Sequence, residues 1–114
     1  MDLSYAKLHG ARLHGANLQG AMIMGADLSN VDLSAAILNQ ANLSGAIICE
    51  ANLSHAGLSG GILFGTDMSY TNLTYTNISG SHLSGGNLRH TDLSYSILSG
   101  AYFSAGNLSR NNLK

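Results

Sequence analysis

The sequence lacks proline and tryptophan, and it has a single cysteine in 114 residues. The absence of proline suits a structure in which most backbone N–H groups donate hydrogen bonds, because proline has no such donor. One cysteine excludes an internal disulfide, so a fold held together by disulfides is excluded as well. We interpret Cys49 as an incidental replacement of serine with a free thiol rather than a functional nucleophile.

Charge is also scarce, since only 10% of the residues are charged and the formal net charge is −1. The five bases lie near the two ends of the chain and form no basic stripe: Lys7, Arg12, Arg89, Arg110 and Lys114. A nucleic-acid-binding domain usually carries such a stripe. We therefore expect no nucleic-acid partner.

Long hydrophobic runs are missing too. The longer apolar stretches, such as residues 46–49, are far below the roughly 18 residues of a membrane span. The first residues, Met1, Asp2 and Leu3, already follow the internal pattern described next, which predicts no signal peptide. These features predict no membrane span and a cytoplasmic location.

What the sequence has instead is a period of five. Every fifth residue from Leu3 to Leu113 is large and apolar, with eighteen Leu, three Ile, Met68 and Phe103 in twenty-three positions. The residue two places earlier is small and mostly Ala, the one between is often Asp or Asn, and Ser and then Gly commonly follow. The repeating unit is thus A-[DN]-L-S-G.

This period fits neither regular element. Five steps on an α-helix advance about 500°, which spreads the leucines around the whole rod. On a flat strand, an odd spacing sends alternate leucines to opposite faces. The chain must therefore bend once per repeat, with the corners at Gly and Asn and the coils stacked about 4.8 Å apart. We expect the apolar column to form the core, including Leu13, Leu33, Leu53, Leu73 and Leu93.

Tandem copies such as Ala16-Asn17-Leu18, Ala26-Asp27-Leu28 and Ala51-Asn52-Leu53 resemble the pentapeptide repeat proteins, and the resemblance covers the whole chain. It implies an all-β fold, a right-handed quadrilateral β-helix with about 20 residues per coil. On this basis residues 1–114 form one solenoid domain of five to six coils.

With four repeats per coil, residues twenty apart form rows on the surface. Outward apolar and aromatic residues in these rows predict a protein interface. The candidate interface residues are Met22, Met24, Ile62, Phe64, Tyr70, Tyr75, Tyr95 and Tyr102. The alternative interpretation is that these side chains only stack on one another along the rod.

Neither a catalytic nor a metal site is predicted. Ser follows the apolar residue throughout without a buried base or an oxyanion hole beside it. The five histidines, His9, His14, His55, His82 and His90, do not converge by spacing. We expect no enzyme activity, no cofactor and no metal.

The leading functional hypothesis is a non-enzymatic scaffold that offers flat, weakly charged faces to an unknown protein partner. The resemblance suggests two alternatives, a DNA-mimic regulator of gyrase or topoisomerase and the repeat domain of a secreted bacterial effector. The near-neutral charge disfavours the first, because such mimicry needs a dense negative field. An engineered or excised array is a further alternative. Relatives commonly dimerise through the C-terminal coil, which makes Tyr102, Phe103 and Leu108 candidate dimer residues.

Overall fold

The computed structural model describes residues 1–103. Over this range the chain forms neither a helix nor an extended strand, but single-residue parallel bridges that join positions twenty apart, from Asp2 and Met22 to His82 and Tyr102. A turn occurs in each five-residue repeat, so that four turns separate bridged residues. The predicted stacking of coils by backbone pairing is confirmed. The total of five to six coils stays a prediction, because residues 104–114 lie outside the described residues.

The N–H groups of five consecutive residues, one for each position of the repeat, show why the unit repeats so regularly. In residues 52–56, the N–H groups of Asn52, Leu53 and His55 donate to carbonyls of neighbouring coils at 3.0, 2.8 and 2.9 Å, and that of Ala56 closes the turn onto the Leu53 carbonyl at 3.0 Å. The remaining N–H, that of Ser54, donates to Asn52 Oδ1 at 3.0 Å. Every N–H of this repeat therefore has a partner, as a stacked backbone requires.

The Asn or Asp before the apolar residue is thus part of the backbone hydrogen-bonding scheme. Each of the eleven in the described residues accepts the N–H two places later at 3.0 to 3.2 Å, as Asp2, Asn17, Asp27, Asp32, Asn42, Asn52, Asp67, Asn72, Asn77, Asn87 and Asp92. Such Asx contacts stabilise turns. This explains the [DN] of the repeat without any acid–base role.

The apolar column fills the interior. Leu33, Leu53, Leu73 and Leu93 are buried, whereas Leu13, which we expected in the core, is only partly buried and packs against it. Leu13 is less buried because the first described coil contacts another coil on one side only.

We number the sides by their apolar residue in the second coil, as side 1 (Ile23), side 2 (Leu28), side 3 (Leu33) and side 4 (Leu38).

Candidate interaction surfaces

The corners between sides hold backbone that most side chains avoid. The last residue of each repeat from Tyr5 to Gly100 has a positive φ between 57° and 74°. Ten of these twenty residues are glycine, which adopts such angles without steric cost. The other ten are Tyr5, Asn30, Ala35, Gln40, Glu50, His55, Tyr70, Tyr75, His90 and Tyr95. For a bulky residue this conformation is strained, so its presence calls for a physical reason.

Aromatic stacking at two neighbouring corners supplies part of that reason. After side 3, the rings of His55 and Tyr75 lie 4.8 Å apart and those of Tyr75 and Tyr95 lie 4.9 Å apart, with planes within 11°. After side 2, Tyr70 and His90 stack at 4.6 Å. The structure therefore brings together three of the predicted interface residues, Tyr70, Tyr75 and Tyr95, in two rows that border side 3.

In the row after side 2, Glu50 lies one coil before Tyr70 and also has a positive φ. Arg110, which the period places at the other end of this row, lies outside the described residues. All three tyrosines remain more than half exposed, at 57%, 53% and 62% for Tyr70, Tyr75 and Tyr95. Stacking thus fixes the rings in place without removing them from solvent.

Side 1, on the opposite face, carries the other predicted interface residues. Met22, Phe64 and Tyr102 are exposed, and Met24 and Ile62 are partly buried. Met22 and Ile62 replace the usual Asn or Asp, and neither side chain has an oxygen to accept the N–H two places later. These apolar side chains therefore cost a turn hydrogen bond as well as exposing hydrocarbon to water.

His82 joins part of this apolar surface. Its ring stacks on Tyr102 at 4.9 Å with planes 3° apart, and it lies 5.7 Å from the Phe64 ring at a tilt of 46°. These ring contacts join Phe64, His82 and Tyr102 across two rows of side 1. Asn42 and Ser44 separate them from Met22 and Met24.

The candidate dimer residues lie at the far end of the described chain. Tyr102 is exposed and Phe103 is partly buried against the core. Leu108, the third candidate dimer residue, lies outside the described residues.

Two surface relays near the N-terminus were missed by sequence reasoning. Ser29 Oγ donates to Asp27 Oδ1 at 2.6 Å and lies 2.7 Å from His9 Nδ1, and Ser34 links Asp32 and His14 in the same way. Because each hydroxyl has one proton and gives it to the carboxylate, the histidine Nδ1 must be the donor. The signal in the sequence was the twenty-residue spacing of His9 and Ser29, and of His14 and Ser34.

Ser29 and Ser34 lower the pKa of the aspartates to which they donate. Hydrogen bonds from the Ser29 hydroxyl and backbone N–H, together with the smaller effect of the charge of His9, hold the pKa of Asp27 below its ordinary value. The hydroxyl and N–H of Ser34 do the same for the pKa of Asp32. The hydrogen bonds favour the charged form of each carboxylate.

Cys49 has the features of an unreactive thiol. It is partly buried and not in a disulfide, and burial raises the pKa of its thiol, helped by the nearby charge of Asp67. A raised pKa lowers the thiolate fraction, and the thiolate is the reactive form.

The described residues offer no concave site. Within residues 1–103 there is no pocket and no group of three His, Cys, Asp or Glu side chains that could hold a metal ion. The same range has no helix suited to crossing a membrane. The surface that remains for binding consists of the sides and corners of the stack.

The model of the family described as pentapeptide repeats matches the chain in eight copies, at residues 1–20, 26–65 and 71–110. The chain belongs to the pentapeptide repeat family. A crystal structure of a pentapeptide repeat protein from the thylakoid lumen of Arabidopsis thaliana is similar at 30% identity and a TM-score of 0.81, covering 82% of this chain and 66% of that one. No curated protein sequence matches the chain.

Two cyanobacterial pentapeptide repeat proteins are also similar. Rfr23 from Cyanothece 51142 has 29% identity and a TM-score of 0.79 over 80% of this chain and 63% of that one. HetL from Nostoc, a protein involved in heterocyst differentiation regulation, has 29% identity and a TM-score of 0.50 over 96% of this chain and 60% of that one. These pentapeptide repeat neighbours imply a right-handed quadrilateral β-helix. The chain spans less than two thirds of the length of each of these solved structures.

Proposed function

We propose that this pentapeptide repeat chain is a non-enzymatic scaffold that binds a protein partner through its surface rows. The observation that carries the proposal is the exposure of Tyr70, Tyr75 and Tyr95 at corners where glycine would be unstrained. Tyrosine is enriched at the energetically dominant positions of protein interfaces. Pentapeptide repeat proteins are generally structural or interaction proteins rather than enzymes, which supports the same function.

The rigidity of the backbone supports this function as well. Each coil is held to its neighbours by backbone hydrogen bonds of about 2.7 to 3.2 Å along the described stack. Side chains on such a frame lose little further conformational freedom on binding, which favours affinity. The exposed apolar residues of side 1, including Phe64 at 46% exposure, provide a second contact surface of the scaffold.

The test is affinity capture with the purified chain as bait in a lysate of its source organism. We expect a specific partner, captured by the wild type and lost when the exposed residues Phe64, Tyr75 and Tyr95 are replaced by Ser, Gly and Gly. The matched control is Tyr5→Gly, which also removes a corner tyrosine but lies outside the aromatic rows. Absence of any partner for the wild type would refute the scaffold function. Inhibition of gyrase supercoiling by micromolar protein would instead favour the DNA-mimic alternative.

Location and self-association are part of the same proposal. We place the chain in the bacterial cytoplasm, as a homodimer through the coil that contains Tyr102, Phe103 and Leu108. Light scattering at high concentration tests the dimer, and a monomer mass would reject it. Fractionation of cells with an antibody to the chain tests the location, and a secreted pool would favour the effector alternative.

A further inference from the structure

Strain at the corners is concentrated on one face of the molecule. From residue 30 to residue 100, the two corner rows that border side 3 contain no glycine, and all eight of their residues have positive φ. Over the same range, the two rows that border side 1 are glycine except for Gln40. A non-glycine residue in such backbone costs on the order of 1–3 kcal/mol. Folding alone does not require this difference, because both pairs of rows make the same turns.

Stacking offsets the strain only in part. An aromatic pair contributes about 0.5–1.5 kcal/mol beyond its buried area, and three such pairs lie in the rows bordering side 3. Asn30, Ala35 and Glu50 have positive φ and carry no ring of their own that could stack. The arrangement therefore costs stability overall, as expected where a surface is shaped for binding.

We call this surface the tyrosine face, defined as side 3 with the rows Glu50, Tyr70, His90 and His55, Tyr75, Tyr95. Between the rows lie the outward polar residues Asn52, Ser54, Asn72, Thr74 and Asp92, all at least partly exposed. Rigid tyrosines beside Asn, Ser and Thr resemble the composition of antibody paratopes. There the tyrosines supply contact area at low entropy cost and the small polar residues supply adaptable hydrogen bonds.

The hydrogen bonds of the polar residues leave defined groups for a partner. Asn72 Oδ1 accepts both the N–H and the hydroxyl of Thr74, at 3.0 and 2.8 Å, so the amide of Asn72 is oriented and its NH₂ group is available to donate. Asp92 Oδ1 accepts the N–H and hydroxyl of Ser94. Its other carboxylate oxygen remains available as an acceptor.

The part of the tyrosine face between residues 50 and 95 carries formal charges of one sign, and Arg12 lies two coils before Asn52 on the same side. Between residues 50 and 95, its outward positions include two acids, Glu50 and Asp92, and no Lys or Arg. A cationic partner is therefore favoured over an anionic one such as nucleic acid. Arg suits this face better than Lys, because its planar guanidinium both stacks on aromatic rings and pairs with carboxylates in a fixed geometry.

We propose that the tyrosine face is the docking surface for an arginine-bearing surface of a protein partner. This inference rests on the proposed scaffold function and adds the face and the chemistry of the partner. Side 1, with glycine at its borders, is not required for this docking.

The experiment measures binding of fluorescein-labelled Gly/Ser peptides that carry three Arg, three Lys or three Glu, by fluorescence anisotropy at low salt. One Arg–aromatic contact at an exposed site is worth about 0.5–1 kcal/mol. Because the guanidinium also stacks flat on rings and pairs with carboxylates through two N–H groups, which the Lys ammonium cannot do, we expect the Arg peptide to bind about fivefold more tightly than the Lys peptide. The Glu peptide should not bind detectably.

The variants locate the contact on the surface. The Tyr75→Gly/Tyr95→Gly variant should weaken binding of the Arg peptide about tenfold, because two stacking surfaces are removed. Glu50→Gln should weaken it less and reduce its salt dependence. Glycine is native at other corners, so these tyrosine variants should keep the fold, which circular dichroism checks. Tyr5→Gly and Phe64→Ser are matched controls and should bind as the wild type does.

Equal affinity for Arg and Lys peptides, or unchanged binding by the Tyr75→Gly/Tyr95→Gly variant, would overturn the inference. So would tighter binding of a single-stranded oligonucleotide than of the Arg peptide. If the wild type captures a specific cellular partner that Phe64→Ser loses and the tyrosine variant keeps, the scaffold function stands and only this assignment fails. If the wild type captures no partner, the scaffold function itself fails.

Discussion

The two halves of the described stack line the small inward column differently. From Ala6 to Ala56 this column is Ala, with Val31 as its one exception, whereas from Gly61 to Ser96 it is Thr, Ser or Gly. In the alanine half the column adds methyl groups to the core. In the hydroxyl half it adds polar groups, and Thr66, Thr71, Thr76, Ser81 and Thr91 are all nearly fully buried.

The hydroxyl half remains compatible with the core because each hydroxyl has a local acceptor. Thr66, Thr76, Ser81 and Thr91 donate to the carbonyl three residues earlier at 3.0, 2.7, 2.7 and 2.9 Å. That carbonyl also accepts the N–H that closes the turn. Buried hydroxyls are costly only when unpaired. The small column therefore requires small side chains, and the carbonyl at each turn provides the hydrogen-bond acceptor for those that carry a hydroxyl.

The largest expected effect tests whether the two halves have equally packed cores. Leu53 and Leu73 are on side 3 one coil apart and fully buried, the first between Ala51 and Ala56 and the second between Thr71 and Thr76. Leu53→Ala and Leu73→Ala should each lower the free energy of unfolding by about 2–5 kcal/mol, because each leaves a cavity. Urea denaturation followed by circular dichroism measures both. A loss for Leu73→Ala of less than half that for Leu53→Ala would show a looser core in the hydroxyl half.

A smaller effect separates the hydroxyl from the shape of the side chain. Thr76→Val keeps the shape and removes the hydroxyl that donates to the Leu73 carbonyl at 2.7 Å. We expect the free energy of unfolding to fall by about 0.5–1.5 kcal/mol, the usual net value of a hydrogen bond. The reciprocal control is Val31→Thr, which adds a hydroxyl near the Leu28 carbonyl and should not destabilise the alanine half. A clear stabilisation by Thr76→Val would contradict the role given to the hydroxyl.

Much of this organisation was predictable from the period of five. The column from Leu3 to Phe103 had to face one axis, because neither a helix nor a flat strand aligns that spacing. The period does not set the number of sides, which depends on the bend at each turn, so the pairing of residues twenty apart came from the family resemblance. Tyr and His at positive φ were not predicted, because the choice of Tyr75 over glycine depends on its ring neighbours one coil away.

Gly61 is one of the two glycines of the hydroxyl column. It occupies a position that is Ala or Thr in adjacent repeats, and its φ is not positive. A Cβ there would lie 3.0 Å from the Leu58 carbonyl oxygen, so the carbonyl must shift by a few tenths of an ångström to accept it. We expect Gly61→Ala to raise the free energy of unfolding by about 0.4–1 kcal/mol through loss of unfolded-state entropy.

Thermal or urea unfolding measures the effect of Gly61→Ala. Gly60→Ala is its control, because Gly60 has a φ of 65° and alanine there is strained. Destabilisation by both variants would mean that the Leu58 carbonyl cannot shift and that the column is tighter at Gly61 than in the rest of the hydroxyl half.

The smallest effect concerns pH and the relays of the alanine half. The pKa of Asp27 is lowered chiefly by the Ser29 hydroxyl. A carboxylate whose pKa is lowered on folding contributes stability that is present above its unfolded value, about 3.9, and is lost as the pH falls through the lower folded pKa. Ser29→Ala should therefore raise the pKa of Asp27 and move this acid-induced loss to higher pH. An NMR titration of the Asp27 carboxyl carbon measures the change, and Ser54→Ala, beside the uncharged Asn52, is the control. An unchanged pKa of Asp27 in Ser29→Ala would show that the backbone N–H of Ser29 alone holds the carboxylate, as it does for the uncharged Asn residues of the same column.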